Sequence, residues 1–97
     1  MAKGYWVAIY ESISNPDALA AYGKLAGPAI QAGGGRMLAR GNAEEAFEAG
    51  KKQRTVLIEF DSVEKAVAAY HSAQYQEAAK LLHGAVVREI RIVPGVE

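Results

Sequence analysis

Ninety-seven residues carry 11 basic and 11 acidic side chains, a formal net charge of zero, and no cysteine. Balanced charge argues against a nucleic-acid or anionic-membrane surface, and a chain without thiols can form no disulfide, thiolate metal site or cysteine nucleophile. The length suits one domain over residues 1–97, and a domain this small, burying roughly 60–65% of its unfolded surface, would gain from a partner chain.

The opening MAKGYWVAIY has one lysine and no long apolar run, so no signal peptide is expected. No later segment approaches the roughly 18–20 apolar residues of a membrane helix. A cytoplasmic protein is the expectation.

Gly4 to Ile13 is the first predicted strand, with Tyr5, Trp6, Val7, Ile9, Tyr10 and Ile13 as strand formers and apolar residues on both faces. Asn15-Pro16-Asp17 predicts a helix start, with Asn as cap, Pro at the first position and an acid at the positive end of the dipole. Leu19, Tyr22, Ala26 and Ile30 mark its buried stripe as far as about Gln31. A kink or brief break is expected at Gly27-Pro28, because Pro28 cannot donate a backbone bond.

Gly33-Gly34-Gly35 trails that helix. Phosphate-cradling glycine loops precede a helix, so a C-cap and turn is the better reading. Arg36 to Arg40 is a short strand, and Gly41 to Gln53 a polar connection. Within it, Glu44 to Ala49 could form a helical turn or a hairpin arm, with propensity slightly favouring the turn.

Arg54 to Phe60 is the strongest strand, with Val56, Ile58 and Phe60 on its inner face and Thr55, Leu57 and Glu59 on the other. Asp61 fits an N-cap with Glu64 completing a capping box. Val63, Ala66, Val67 and Tyr70 form a helical stripe, Ser72 reads as a second cap, and Tyr75, Ala78, Ala79 and Leu82 resume the stripe. That helix should end near His83-Gly84, and Ala85 to Val93 is the last strand, closed by Pro94-Gly95.

The order β-α-β-β-α-β predicts an α+β, ferredoxin-like fold, a four-stranded antiparallel sheet with its helices on one face. The opposite face carries Leu57 and first-strand apolar residues beside Glu59, Glu89 and Arg91. It is too apolar to stay bare, so homodimerisation through it is expected.

The runs Gly34-Gly35-Arg36, Leu38 to Gly41, Arg54 to Phe60 and Ala69 to Gln76 (AYHSAQYQ) resemble the small bacterial family known as domain of unknown function 1330. The likeness covers nearly the whole chain. It implies membership of the dimeric α/β-barrel superfamily, whose protomers pair their sheets, and it supplies no reaction. The family often has His before the Gly-Gly pair and an aromatic at position 37, where this chain has Gly33 and Met37. The wider superfamily includes cofactor-free monooxygenases, haem-handling proteins and lactone isomerases, an analogy at the level of fold.

Three groups of residues are candidates for a site. Tyr70, Ser72 and Tyr75 meet at the helix break, where they could offer hydroxyls to a ligand or serve as core aromatics and a cap. Arg36, Arg40 and Arg54 lie on neighbouring strands. They could form a carboxylate fork, or pair with Glu11, Glu59 or Glu89. His71 and His83 lack zinc spacing and a third ligand, so no metal and no cofactor is expected. No nucleophile-elbow sequence is present.

The leading expectation is a homodimer that binds a small organic molecule between helices and sheet, with an organic acid as the candidate ligand. The alternatives are a cofactor-independent oxygenase or isomerase using Tyr70, His71 or Tyr75 for proton transfer, and a structural or regulatory dimer without ligand.

Overall fold

Alternation along β1 (Gly4–Ile13) sets the layering. In the computed structural model, which describes residues 2–97, Trp6, Ala8 and Tyr10 are buried and Tyr5, Val7 and Ile9 half-buried. The two sets must face opposite sides because successive strand residues do. β2 (Arg36–Asn42), β3 (Arg54–Phe60) and β4 (Val86–Pro94) complete an antiparallel sheet in the order β2-β3-β1-β4. The inner face of β3 (Val56, Ile58, Phe60) is buried as the alternation requires.

α1 (Pro16–Ala32), α2 (Val63–His71) and α3 (Ala73–Ala79), the last continued by a 3-10 turn at Lys80–Leu82, cover that inner face. Tyr22, Ala26, Ala29 and Ile30 from α1 share one core with Ala66, Ala69, Tyr75, Ala78 and Leu82 and with the sheet residues Trp6, Ile58 and Phe60. Small alanines let the helices approach the sheet, while Trp6, Tyr75, Phe60 and Ile58 fill the space between.

The Asn15 side chain caps α1 by accepting from the Ala18 N–H, with Pro16 at the first position. The break expected at Gly27-Pro28 is not there, and the helix runs on to Ala32. Pro28 forfeits one backbone bond, while Ala26, Ala29 and Ile30 anchor the helix on both sides of it. The start of α2 also differs from the sequence reading. Ser62 is the cap, its Oγ accepting from the Lys65 N–H at 3.1 Å. Asp61 is drawn away instead, to Arg36 at 3.0 Å and Lys65 at 3.7 Å.

The glycine run is a turn whose donors are spent inside it, with Gly33, Gly34 and Gly35 giving their N–H groups to Ile30 and Gln31 carbonyls. A Cβ on Gly35 would stand 2.5 Å from Ile30 Cγ2 and 2.8 Å from Phe60 Cζ. Close packing, not anion binding, requires glycine there. Between β2 and β3 no helix forms. The segment is an extended hairpin arm, closed by Ala43 N–H to Gln53 O at 3.0 Å, with Phe47 75% exposed.

The outer face of the sheet carries Tyr5, Val7, Ile9 and Leu57, all half-buried, with exposed Val87 and Val93. Charged residues are set among them, Arg91 pairing with Glu89 at 2.9 Å and Arg36 with Glu59 at 3.0 Å.

Candidate functional site

Register brings the site together. β1 pairs Tyr10 with Arg88 of β4, and Ala8 with Val56 of β3, while Val56 also faces Arg40 of β2. Residues paired across a ladder share a face, so Tyr10, Arg88, Val56 and Arg40 all point to the helical side. α1 adds Tyr22 from above. α3 adds Tyr75, because the break at Ser72 re-aims the chain: Ser72 Oγ donates to Ala69 O at 2.8 Å and accepts from the Tyr75 N–H at 3.2 Å.

At the centre is a guanidinium held by tyrosines. Arg88 Nη1 donates to the Tyr10 and Tyr22 hydroxyls at 3.1 and 3.2 Å, and Nη2 to the Tyr75 hydroxyl at 2.9 Å. Tyr22 and Tyr75 hydroxyls bond each other at 2.8 Å. The Arg88 guanidinium carbon also lies 5.1 Å from the Tyr22 ring centroid and 5.6 Å from that of Tyr10, within cation–π range. Arg54 approaches the Tyr10 ring at 5.8 Å, and its Nε is buried without a partner.

Beside this network opens a pocket of about 60 Å³ between α1 and the sheet, lined by Trp6, Tyr10, Tyr22, Met37, Ile58 and the guanidinium-bearing Arg40, Arg54 and Arg88, among others. No carboxylate is among the residues lining it. Among the described residues none of these arginines has an acidic partner, which leaves their positive charge uncompensated next to apolar walls.

Burial, and next the adjoining Tyr75, push the Tyr22 hydroxyl far above the ordinary tyrosine value, against the pull of Arg88. Burial likewise raises Tyr10, with Arg88 pulling it down. For Arg88 burial works to discharge the group, but Tyr22, Tyr75 and Tyr10 outweigh it and hold the guanidinium above its ordinary value. Tyr10 and Tyr22 are therefore proton-bearing groups and not bases. The lining can receive an anion or a developing oxyanion, and it offers no side chain suited to removing a proton near neutral pH. No group of metal-ligating side chains occurs among the described residues.

Of the residues singled out from sequence, Arg40 and Arg54 reach the pocket. Arg36 does not join them. It lies on the outer face, bonded to Glu59 at 3.0 Å and Asp61 at 3.0 Å, and its proximity keeps both carboxyls below their ordinary values. Tyr75 is fully buried and does not line the pocket, and its hydroxyl bonds Arg88 and Tyr22. Tyr70 packs on Trp6 at 5.8 Å and borders a separate open groove beside Ile90 and Ile92. Ser72 is a double cap, and His71 and His83 are exposed.

Tyr10, Tyr22 and Arg88 were missed by the sequence reading. A signal existed for Arg88: it shares the strand parity of Val86, Ile90 and Ile92, so a charged residue falls on the face that should be buried.

A family model described as domain of unknown function, DUF1330, matches residues 3–96. The chain belongs to the DUF1330 family. No curated protein matches this DUF1330 chain in sequence. Solved structures match it in fold. A protein of unknown function from Rhodopseudomonas palustris aligns with a TM-score of 0.72 at 20% identity, covering 99% of this chain and 84% of that one. SnoaB, a cofactor-independent oxygenase from Streptomyces nogalater, aligns with a TM-score of 0.71 at 8% identity, covering 100% and 96%. A dimeric ferredoxin-like protein of unknown function from Thermobifida fusca aligns at 0.63 and 17% identity, covering 96% and 91%. At such identities the likeness establishes the ferredoxin-like architecture and nothing about substrate.

Proposed function

We propose that this DUF1330 protein is a homodimer whose protomers each bind a small organic acid between α1 and the sheet. The observation that carries this reading is the convergence of Arg40, Arg54 and Arg88 on an aromatic pocket that contains no carboxylate. Arg54 and Arg88 are half-buried and Arg40 is exposed at the mouth, none with an acidic partner among the described residues, and partly desolvated cations of this kind favour an anionic ligand. The apolar walls from Trp6, Val56 and Ile58 suit the body of such a ligand. The dimer is supported by the apolar outer face of the sheet and by the dimeric fold relative from Thermobifida fusca.

A second reading, oxygen or isomerase chemistry without a cofactor, draws support from a lining rich in guanidinium and hydroxyl donors and free of carboxylates, which suits an oxyanion, and from the shared fold with a cofactor-independent oxygenase. Native mass spectrometry of freshly purified protein tests for a carried-over acid. Thermal shift with a panel of aromatic and aliphatic acids and their neutral amides tests selectivity. Acids should raise the melting temperature and amides should not; equal null responses from both would remove the acid-binding reading.

A further inference from the structure

The pocket of about 60 Å³ is smaller than the roughly 150 Å³ cavity that takes up a benzene ring in an engineered protein core. A ring-bearing acid with its carboxylate at the arginines must therefore extend beyond it. Open grooves adjoin it both at Arg88, beside Tyr70, Ile90 and Ile92, and at the glycine-lined flank of α1. Along the flank of α1 above β2 runs a trough of about 410 Å³, lined by Gly27, Pro28, Ile30, Gln31, Gly35, Arg36 and Met37. It shares Gly27, Ile30 and Met37 with the pocket, so the two adjoin along α1. β2 is an edge strand with every residue except Gly41 exposed, so no helix fills that trough from above.

Helix α1 presents glycine to the pocket. Gly23, which is exposed, and Gly27 are one turn apart, and both line the pocket. A glycine inside a helix costs about 1 kcal/mol relative to alanine, so its presence calls for a reason. Close packing is not the reason here, since a Cβ built on either residue meets no heavy atom within 4 Å. Gly33 and Gly35 differ, for a Cβ there would collide with Ala69 and Ile30. Gly27 has a local justification, because the residue before a proline in a helix is relieved of a clash when it lacks a side chain. Gly23 has none within the chain. What its missing side chain leaves is open space along the wall of the pocket.

We propose that Gly23, with Gly27 beside it, keeps open a flat slot between α1 and the β2–β3 surface, and that the ligand is a planar, fused-ring or conjugated carboxylic acid. Its carboxylate sits at Arg40, Arg54 and Arg88, and its ring plane runs under Gly23 and Gly27 against Met37 and Ile58. This rests on the acid-binding reading and adds shape to it. Compact three-dimensional acids of similar size are excluded by thickness and not by charge.

The probes are benzoate, 2-naphthoate and adamantane-1-carboxylate, with binding read from the fluorescence of Trp6, the sole tryptophan and a pocket residue. Wild type should bind 2-naphthoate at least about tenfold more tightly than adamantane-1-carboxylate, a difference well within what pocket shape provides. Gly23→Ala should melt at the same or a higher temperature, since alanine favours the helix, yet weaken 2-naphthoate by about tenfold or more. Met37→Ala, which thins the opposite wall, should narrow the gap between 2-naphthoate and adamantane-1-carboxylate. If wild type binds no carboxylate, the acid-binding reading fails and the slot with it. If acids bind but the adamantane acid binds as tightly as 2-naphthoate, or Gly23→Ala binds like wild type, the slot alone is overturned. A Gly23→Ala protein that melts below wild type also overturns it, because glycine is then required by the fold.

Discussion

The hydroxyls of Tyr22 and Tyr75 meet at 2.8 Å although 53 residues separate them in the chain, and Arg88 donates to both. Each tyrosine has one proton, and in this pair one hydroxyl must donate to the other. If Tyr75 donates, the Tyr22 proton is left to face the pocket that Tyr22 lines. A ligand oxygen would complete that chain of hydrogen bonds. The arrangement also links α1, α3 and β4 at one point, so it bears on stability as well as binding.

Tyr75→Phe tests that link. It strips a buried partner from both Tyr22 and Arg88, and leaving such groups unsatisfied costs about 1–3 kcal/mol. Urea unfolding should show a loss of that size. Tyr22→Phe combined with Tyr75→Phe should cost less than the sum of the single changes, because the bond between them is lost only once. Strict additivity would mean the hydroxyl pair contributes nothing.

Alkaline titration should separate the tyrosines. Tyr10 and Tyr22 hold their protons to higher pH in the fold than in the unfolded chain, chiefly because of burial. A raised native value for an acid means stability is intact below the unfolded tyrosine pKa of about 10 and declines as pH climbs from there toward the native values. The tyrosinate absorbance of Tyr10 and Tyr22 should thus appear in a late stage that coincides with loss of structure. Tyr22→Phe should reduce the late stage and flatten the alkaline decline.

Ser72 should prove to be a cap and no more. Its Oγ contacts are Ala69 O and the Tyr75 N–H, and it does not line the pocket. Ser72→Ala should cost about 1 kcal/mol, while Ser72→Asp keeps an acceptor for the Tyr75 N–H but gives up the donor to Ala69 O. The Asp variant should bind acids like wild type. Weaker binding by Ser72→Asp at unchanged stability would put Ser72 next to the ligand.

The outer sheet face should be a dimer interface burying at least ~1,500 Å² in total. Val7 and Leu57 face each other across the β1–β3 ladder there, both half-buried. Light scattering at micromolar concentration should give twice the chain mass. Leu57→Glu, placing a charge in the middle of the patch, should shift the protein toward monomer. A wild-type monomer would refute the interface.

What could be read from sequence was whatever depends on neighbours in the chain. The alternation in Arg54–Phe60, the Asn15 and Ser72 caps and the turn at Gly33–Gly35 are local events. Together they gave the element order and the ferredoxin-like sheet. The cap of α2 was misplaced by one residue because Asp61 and Ser62 are both good caps, and what decides between them is Arg36, 25 residues earlier, drawing Asp61 away. The site was settled by tertiary structure for the same kind of reason. Arg36, Arg40 and Arg54 look alike in sequence, yet the register shift between Met37 and Ala39 puts Arg36 on one face and Arg40 on the other. Arg88 and Tyr10 become partners only through the β1–β4 register, and Tyr22 and Tyr75 only through helix packing. Side-chain period fixes which residues share a face within one strand. Which strands and helices then lie side by side is a property of the whole packed chain, and that is where the charge of the pocket and the open space beside Gly23 were determined.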